Sequence, residues 1–400
     1  MTVTEETLVE RPASLADASD VLRDTGGPLL FRGAGTKQAW GGRPAPAVVV
    51  ETSSLNRLLA HNPADMTVAV EAGVPLTELQ AVLGEHGQWL AFDPPSQTAG
   101  ATVGGLLATG DSGPQRLRYG GLRDLVIGAT VVLADGTVAR TGGRVIKNVA
   151  GYDLAKMMYG SLGTLGLVAE VVLRLHPLPA TSATAVLRCS VREATALTVA
   201  LMASALEPVA VDWVQTGDRP VDDGRLAVRF AGTAAGVAAQ RNGLRTVLTS
   251  ADAAPEWLAD AEEQALWAEL AVRHGPDRDD TLASAATLPT RTVDVAEALA
   301  RAADTAGATA HLASRPALGL NTVRLTGAPE AVAQAFTAWR TSVMAGGTGA
   351  SVLLRDRPAA VDAGVDAMGP APSSAPLMRS LKNSLDPDNR CAPGRLGSWY

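Results

Sequence analysis

Cysteine is scarce in this chain. Its 400 residues include two, Cys189 and Cys391, which lack the spacing of a metal or redox motif. They show no iron–sulfur cysteine pattern either, so any cluster must lie elsewhere. Such sparse use in a chain of this size points to a reducing compartment. The five histidines are scattered and form no ligand group. No run approaches the ~18 apolar residues of a spanning helix. Met1 to Pro12 is polar and acidic and does not read as a signal peptide. The expected location is therefore cytoplasmic, with membrane contact only through partners. Charge is mildly acidic, −7 overall, with both signs interspersed. Arg116, Arg118 and Arg123 form the one basic concentration, too small for a phosphate-backbone track, so nucleic acid is not an expected partner.

Glycine is what the chain has, especially in its first half. The run Gly143–Gly166 ends in Gly160-Ser-Leu-Gly-Thr-Leu-Gly166 and leads into an apolar strand, Leu167–Leu175. Glycines permit positive φ and close backbone approach, and successive amides in such a loop can converge on an anion. The loop reads either as a cradle for a phosphate-bearing cofactor or as a pair of turns joining helix to strand. Two more glycine-rich segments, 32–37 and 100–113, precede it. A diphosphate needs several N–H donors and a planar ring needs close, flat backbone, so three such segments favour an extended nucleotide. Arg32-Gly-Ala-Gly-Thr-Lys37 lacks the third glycine of a dinucleotide fingerprint, and no Walker A loop is present.

Length alone predicts two domains. In the first, Ser14 can cap a helix to Arg23, residues 28–32 and 47–51 read as strands, and Leu55, Leu58 and Leu59 suggest a short helix. A strand at 67–73 follows, then a helix opened by Pro75 with Leu76, Leu79 and Leu83 on one face. Residues 93–105 form a loop into a small-residue helix, and 125–138 a hairpin turning at Asp135-Gly136. Residues 1–14 are expected to be loosely ordered. After Pro179 a strand–helix–strand–strand–helix pattern (185–190, 192–205, 209–214, 225–231, 233–249) recurs as helix 294–303, strands 307–313 and 321–326, helix 329–342 and strand 350–354. This implies an antiparallel sheet backed by helices, with 251–290 and 355–375 as linkers or insertions and a tail helix at 375–384. The fold class is α+β.

In order, Arg32–Lys37, Ala101-Thr-Val-Gly-Gly105, Gly110-Asp-Ser-Gly113 with Arg118-Tyr-Gly120, Lys147–Leu154 and Gly160–Gly166 resemble the FAD-binding domain of the vanillyl-alcohol-oxidase (PCMH-type) flavoprotein family. Within it, the likeness is to the FAD-binding subunits of bacterial glycolate oxidases (glycolate dehydrogenases). The tail, Asp386-Pro and Ala392-Pro-Gly-Arg-Leu396, resembles the family's ending, with Ala392 where Asn is usual. The resemblance implies a PCMH-type domain of two α/β subdomains over 1–178, a cap domain over 179–375, and a segment 376–400 returning to the first. It implies FAD held by Arg32, Gly33, Ala34, Gly35, Thr36 and Lys37 at the pyrophosphate. Pro95, Thr102, Gly104, Gly105, Ser112 and Gly113 would line the ribityl chain and ring, and Gly160, Gly163, Thr164, Gly166 and Val168 the pyrophosphate and adenine side. Some members attach FAD through a histidine in the first glycine loop. Thr36, Lys37 and Gln38 stand there, so non-covalent FAD is expected. The implied activity is oxidation of a small 2-hydroxy acid within a complex, with a larger FAD-linked glycolate oxidase subunit and an iron–sulfur subunit as partners. The alternatives are a standalone FAD-dependent glycolate or D-lactate dehydrogenase and a non-catalytic flavin-binding subunit.

Catalytic residues are left unassigned. The Gly-Asp-Gly-Asn-His-like motif of the larger subunits has no counterpart; the corresponding stretch is Ala310–Leu320. His311 reads as a packing histidine in a strand. Arg315 reads as a solvated strand-end arginine or a carboxylate binder. His176 and His274 are expected on the surface or in loops, and Trp257, Trp267 and Trp339 on buried helix faces. Trp40 either covers the cofactor or packs a turn, and Lys147 and Tyr152 touch the flavin or pin the loop.

Overall fold

Short β-branched runs punctuated by glycine turns build the amino-terminal half, among the described residues, from two small sheets and a two-stranded ladder pairing Gln88–Trp89 with His176–Pro177. The computed structural model describes residues 7–143, 153–248, 254–275, 280–346, 349–362 and 365–400. The chain divides into two units, Met1–Ser112 with Tyr119–Leu178 and Met368–Tyr400, and Gly113–Arg118 with Pro179–Ala367.

In the first unit, Leu8–Glu10, Val48–Glu51 and Leu29–Arg32 form a parallel sheet in that order. Helix Leu15–Asp24 is capped by Ser14, whose hydroxyl accepts the Asp17 amide. It buries Ala18 and Leu22 against Leu29, Val48 and Val50. The second sheet is antiparallel, ordered Leu58–Asn62, Thr67–Glu71, Leu167–Arg174, Val126–Val132 and Val138–Gly142. Helices Leu76–Gly84 and Val103–Thr109 share its core, where Leu76, Leu79, Leu83, Leu106 and Leu107 join Val68, Val70, Val171 and Leu173. After helix Ala375–Leu385 the tail returns to the parallel sheet. The Leu29 amide donates to the Arg390 carbonyl at 2.7 Å and the Ala392 amide to the Leu29 carbonyl at 2.8 Å.

Several sequence expectations need correction. Residues 58–62 form an edge strand rather than a helix; Leu58 and Leu59 are exposed and only Leu55 is buried. Residues 8–10 are ordered by parallel pairing with Val48–Val50. The hairpin does turn at Asp135-Gly136 as expected, over residues 134–136: the Leu133 amide donates to the Thr137 carbonyl, and Asp135 accepts the Thr137 amide. The stretch 251–290 is no linker: among its described residues are strand Glu256–Leu258, helix Asp260–His274 and strand Thr281–Ala286.

The second unit is one eight-stranded sheet. Its order is Glu256–Leu258, Thr181–Arg188, Gly224–Gly232, Ala210–Gln215, Thr309–Arg315, Leu320–Thr326, Thr281–Ala286 and Ser351–Leu354, all antiparallel. In chain order each half runs strand, helix, strand, strand, helix, strand. The halves mirror one another about a short seam pairing Trp213 with Ser314 and Val214 with Ala313. Helices Val191–Met202, Ala234–Val247, Thr292–Ala306 and Pro329–Ala345 bury Trp213, Phe230, Phe336 and Trp339 against the sheet. A separate cluster packs Leu266 and Leu270 of helix Asp260–His274 on Val186, Val214, Ala227 and Ala313. Polar groups pin that helix at both ends. Glu263 accepts from Ser182 and Thr184, and the His274 ring lies 3.0 Å from the Asp212 carboxylate and 2.9 Å from the Thr322 hydroxyl.

Candidate functional site

The first unit contains a narrow, open cleft with a cavity volume of about 80 Å³. Three stretches line it. Residues 31–38 and Trp40 follow strand Leu29–Arg32; Thr102, Gly104, Gly105, Leu106, Ala108 and Thr109 belong to helix Val103–Thr109 and its cap; Leu162, Gly163 and Gly166–Val168 belong to the second glycine loop and the strand after it. Thr52, Ala72 and Arg395 complete the wall.

These stretches meet because glycine lets backbone approach backbone. A Cβ on Gly33 would lie 2.2 Å from the Thr102 hydroxyl oxygen, and one on Gly104 would lie 2.5 Å from the Ala72 Cβ. The helix start is already satisfied from within: the Val103 amide donates to Val74, the Gly104 amide to Ala72 and the Gly105 amide to the Thr102 side chain. The loop is not. Among the described residues, the amides of Gly33, Ala34, Gly35, Thr36 and Lys37 donate no hydrogen bond to another part of the chain. Backbone N–H groups are ordinarily paired, so five in succession along a cleft fit an anionic ligand. A flavin dinucleotide, with its pyrophosphate, suits that donor set.

Cationic side chains frame the loop. Arg32 pairs with Glu51. Lys37 reaches Asp111 at 2.9 Å with both side chains buried, and Asp111 also accepts the Ser96 hydroxyl at 3.0 Å. Removing either partner of a buried pair leaves an uncompensated charge, so this pair fixes loop 32–37 against the turn after helix Val103–Thr109. The Lys37 ammonium also lies 5.2 Å from the Trp40 ring centroid.

The structure brings together Arg32, Gly33, Ala34, Gly35, Thr36, Lys37, Thr102, Gly104, Gly105, Gly163, Gly166 and Val168 around the cleft. Pro95, Ser112, Gly113, Gly160 and Thr164 do not line it. Pro95 adjoins Ser96, which holds Asp111. The Gly160 amide donates to Leu107, and Thr164 bonds Ser161 and Tyr400. Gly113 belongs to the second unit. Lys147 and Tyr152 lie outside the described residues. Arg395 was not foreseen as a site residue; the Pro-Gly-Arg ending was its only signal.

The second unit buries the side chains that could handle a carboxylate. Arg315, read as a solvated strand-end arginine or a carboxylate binder, is buried with its Nε 3.7 Å from Asp212. His274, expected on the surface, is also buried. Burial pulls its imidazole below the usual value, and Arg315 and Arg355 add to this, against the opposing pull of Asp212. His311 is half-buried and lowered by burial and by Arg273 and Arg324. His176 is half-buried beside Tyr119 and lowered by burial. Trp339 is in the core as expected, Trp267 is half-buried on its helix, and Trp257 lies on a strand. Burial raises the Cys189 thiol to about 11 and the Cys391 thiol to about 12, so both stay protonated near neutrality.

Residues 7–142 match the family model described as an FAD binding domain. The first unit carries an FAD-binding domain. Glycolate oxidase subunit GlcE of Escherichia coli (strain K12) is 35% identical over 167 residues, 42% of this chain and 47% of that protein. The mitochondrial D-lactate dehydrogenase [cytochrome] of Arabidopsis thaliana is 34% identical over 253 residues, 58% of this chain and 44% of that protein. Glycolate oxidase subunit GlcD of Bacillus subtilis (strain 168) is 34% identical over 189 residues, 47% and 40% respectively. The chain thus spans less than half the length of these curated relatives. Among solved structures, an alkyldihydroxyacetonephosphate synthase superposes with a TM-score of 0.70 at 17% identity, covering 96% of this chain and 76% of that one. FgChi7B superposes with a TM-score of 0.69 at 16% identity, covering 98% and 93%. These two establish likeness of fold across both units. Among the described residues no helix is long and apolar enough to cross a membrane.

Proposed function

We propose that this chain is the FAD-binding subunit of a 2-hydroxy-acid dehydrogenase complex of the glycolate oxidase type, located in the cytoplasm. The observation that carries the reading is the glycine-lined cleft of the first unit, while in the second unit the His274 ring is already taken up by the Asp212 carboxylate at 3.0 Å. Bound FAD would accept the hydride of the substrate's C–H bond. The chain's own part is binding: the amides of 33–37 hold the pyrophosphate, Thr102, Gly104 and Gly105 present close backbone to the rest of the cofactor, and Lys37 and Asp111 keep the loop in place.

FAD is held without a covalent bond. The cleft lining includes no histidine and no cysteine among the described residues. His61, the nearest histidine in sequence to the first loop, bonds Gln88 on the Leu58–Asn62 strand. A larger flavin subunit would supply the groups that take the hydroxyl proton and bind the carboxylate. An iron–sulfur subunit would carry electrons onward, since among the described residues no group of three or more His, Cys, Asp or Glu could hold a metal.

The match to the plant D-lactate dehydrogenase covers more of this chain than those to the two glycolate oxidase subunits, which favours a standalone dehydrogenase as the second reading. Purified chain reconstituted with FAD is mixed anaerobically with glycolate or D-lactate, alone and then with the partner subunits. Flavin bleaching only after partner addition supports the complex. Bleaching by the chain alone supports the standalone enzyme. No bleaching in either case leaves a structural flavin subunit.

A further inference from the structure

The last residues of the chain do more than pack against the FAD-binding domain. Residues 390–392 bond Leu29, at the start of the strand feeding the first glycine loop. Arg395 binds the turn that leaves the same loop. Its guanidinium donates to the Gln38 carbonyl at 2.7 Å, the Trp40 carbonyl at 2.9 Å and the Gly42 carbonyl at 3.3 Å, and to the Gln38 side-chain oxygen at 3.0 Å. The Gln38 amide group in turn donates to the Phe31 carbonyl at 3.2 Å, across the mouth of the loop. The Gly42 amide donates to the Arg395 carbonyl at 2.7 Å, and a Cβ on Gly42 would stand 2.1 Å from the Gly394 carbonyl oxygen. Both feet of loop 33–37 are therefore tied to one tail.

The tail is itself anchored to the second glycine loop. The buried Lys382 ammonium donates to the Thr164 carbonyl at 2.8 Å, the Cys391 carbonyl at 2.9 Å and the Asp386 carboxylate at 2.5 Å. Asp386 also accepts the amides of Arg390 and Cys391. Arg390 donates to the carbonyls of Leu22 and Ala134 at 2.9 and 2.6 Å.

We propose that the carboxy-terminal segment, through Arg395, is the clamp that holds the first glycine loop in its FAD-receiving shape. Arg395 is a positioning residue: it lines the cleft wall, but its work is on the backbone whose amides face the ligand. Five unpaired amides in a row repel one another's partial charge, and without a brace the loop would turn some of them toward chain acceptors or water. Nη1 serves the three carbonyls and Nη2 the Gln38 side-chain oxygen, a reach over two nitrogens of one planar group that a lysine, with a single compact ammonium, does not replace. The inference rests on the FAD reading for its consequence, though the clamp itself is measurable without cofactor.

The test uses the full chain with Arg395→Ala, Arg395→Lys and Gly42→Ala, which pushes the tail off while keeping the guanidinium, and with Arg379→Ala as an exposed control. Amide hydrogen exchange of apo protein is followed at residues 33–42 and, as an internal reference, at helix Leu76–Gly84. FAD titration is followed by flavin fluorescence. The expected result is faster exchange at 33–42 with the reference helix unchanged, and FAD affinity weaker by about tenfold or more in all three variants. Arg379→Ala should match wild type in both. Unchanged exchange at 33–42 in Arg395→Ala and Gly42→Ala overturns the clamp, as does faster exchange with FAD affinity within about twofold of wild type. Full recovery of affinity in Arg395→Lys overturns it in favour of simple charge attraction. Wild type that binds no FAD while exchange still responds refutes the FAD reading and leaves the clamp standing.

Discussion

The two units solve opposite problems with the same small residues. In the first, glycine brings backbone against backbone and leaves a cleft with unpaired amides. In the second, alanine thins the helices and strands so that they pack shut, and the polar groups that remain face one another: Glu263 with Ser182 and Thr184, His274 with Asp212 and Thr322. One unit keeps a row of backbone donors along its cleft, and the other sets these particular side chains against one another. Binding should therefore be sensitive to single methyl groups in the first unit and indifferent to large losses in the second.

Four experiments can break or sharpen that contrast. The largest effect on binding is expected from Gly33→Val. Its side chain meets Thr102 where a single carbon already lies at 2.2 Å, and overpacking of about 3 kcal/mol corresponds to roughly a hundredfold in affinity. Equilibrium dialysis against FAD measures it, and near-normal binding would mean the loop does not hold the cofactor. Next, Trp213→Ala should destabilise the second unit by about 3–5 kcal/mol, because Trp213 is fully buried and its indole N–H donates to Cys189. Calorimetry should show this loss while FAD affinity in the folded protein stays unchanged; a matching loss of affinity would erase the distinction between units.

The third concerns pH. The folded-state pKa of His274 lies below the ordinary 6.5 because burial disfavours its charged form, with Arg315 and Arg355 assisting and Asp212 opposing. A depressed pKa supplies stability above 6.5 that is lost as pH falls toward the folded value. Unfolding from roughly pH 7.5 to 5.5 should show that loss, and His274→Gln should flatten it. His176 and His311 shift the same way but are half-buried. Asp386, in the first unit, acts in a different window. Burial raises its pKa, but Lys382 and the Cys391 and Arg390 amides more than offset this. Its contribution persists above the ordinary 3.8 and fades only below it. The smallest effect is kinetic: Cys391 is fully buried in the docked tail, so a thiol reagent should label Cys189 first, and Cys391 only when the tail leaves.

Much of this was legible in the sequence where one physical signal dominates. Ser14 and the spacing of Leu76, Leu79 and Leu83 placed helices, and the strand–helix recurrence after Pro179 revealed the duplicated antiparallel sheet. Helix Asp260–His274 was hidden because its inner stripe mixes Glu263, Leu266, Leu270 and His274, which no apolar pattern marks. The three leucines near 55–59 imitated a helix, yet an exposed edge strand leaves two of them in water. The burial of Arg315 follows from Asp212, about a hundred residues away in the chain, and Arg395 acts on carbonyls more than 350 residues away. Neither long-range meeting leaves a trace in local spacing.

The most direct measurement is a calorimetric titration of the purified chain with FAD, followed by acid precipitation of the loaded protein. The account predicts saturation at one FAD per chain and all of the yellow colour in the supernatant. Absence of binding, or flavin retained in the pellet, would contradict it.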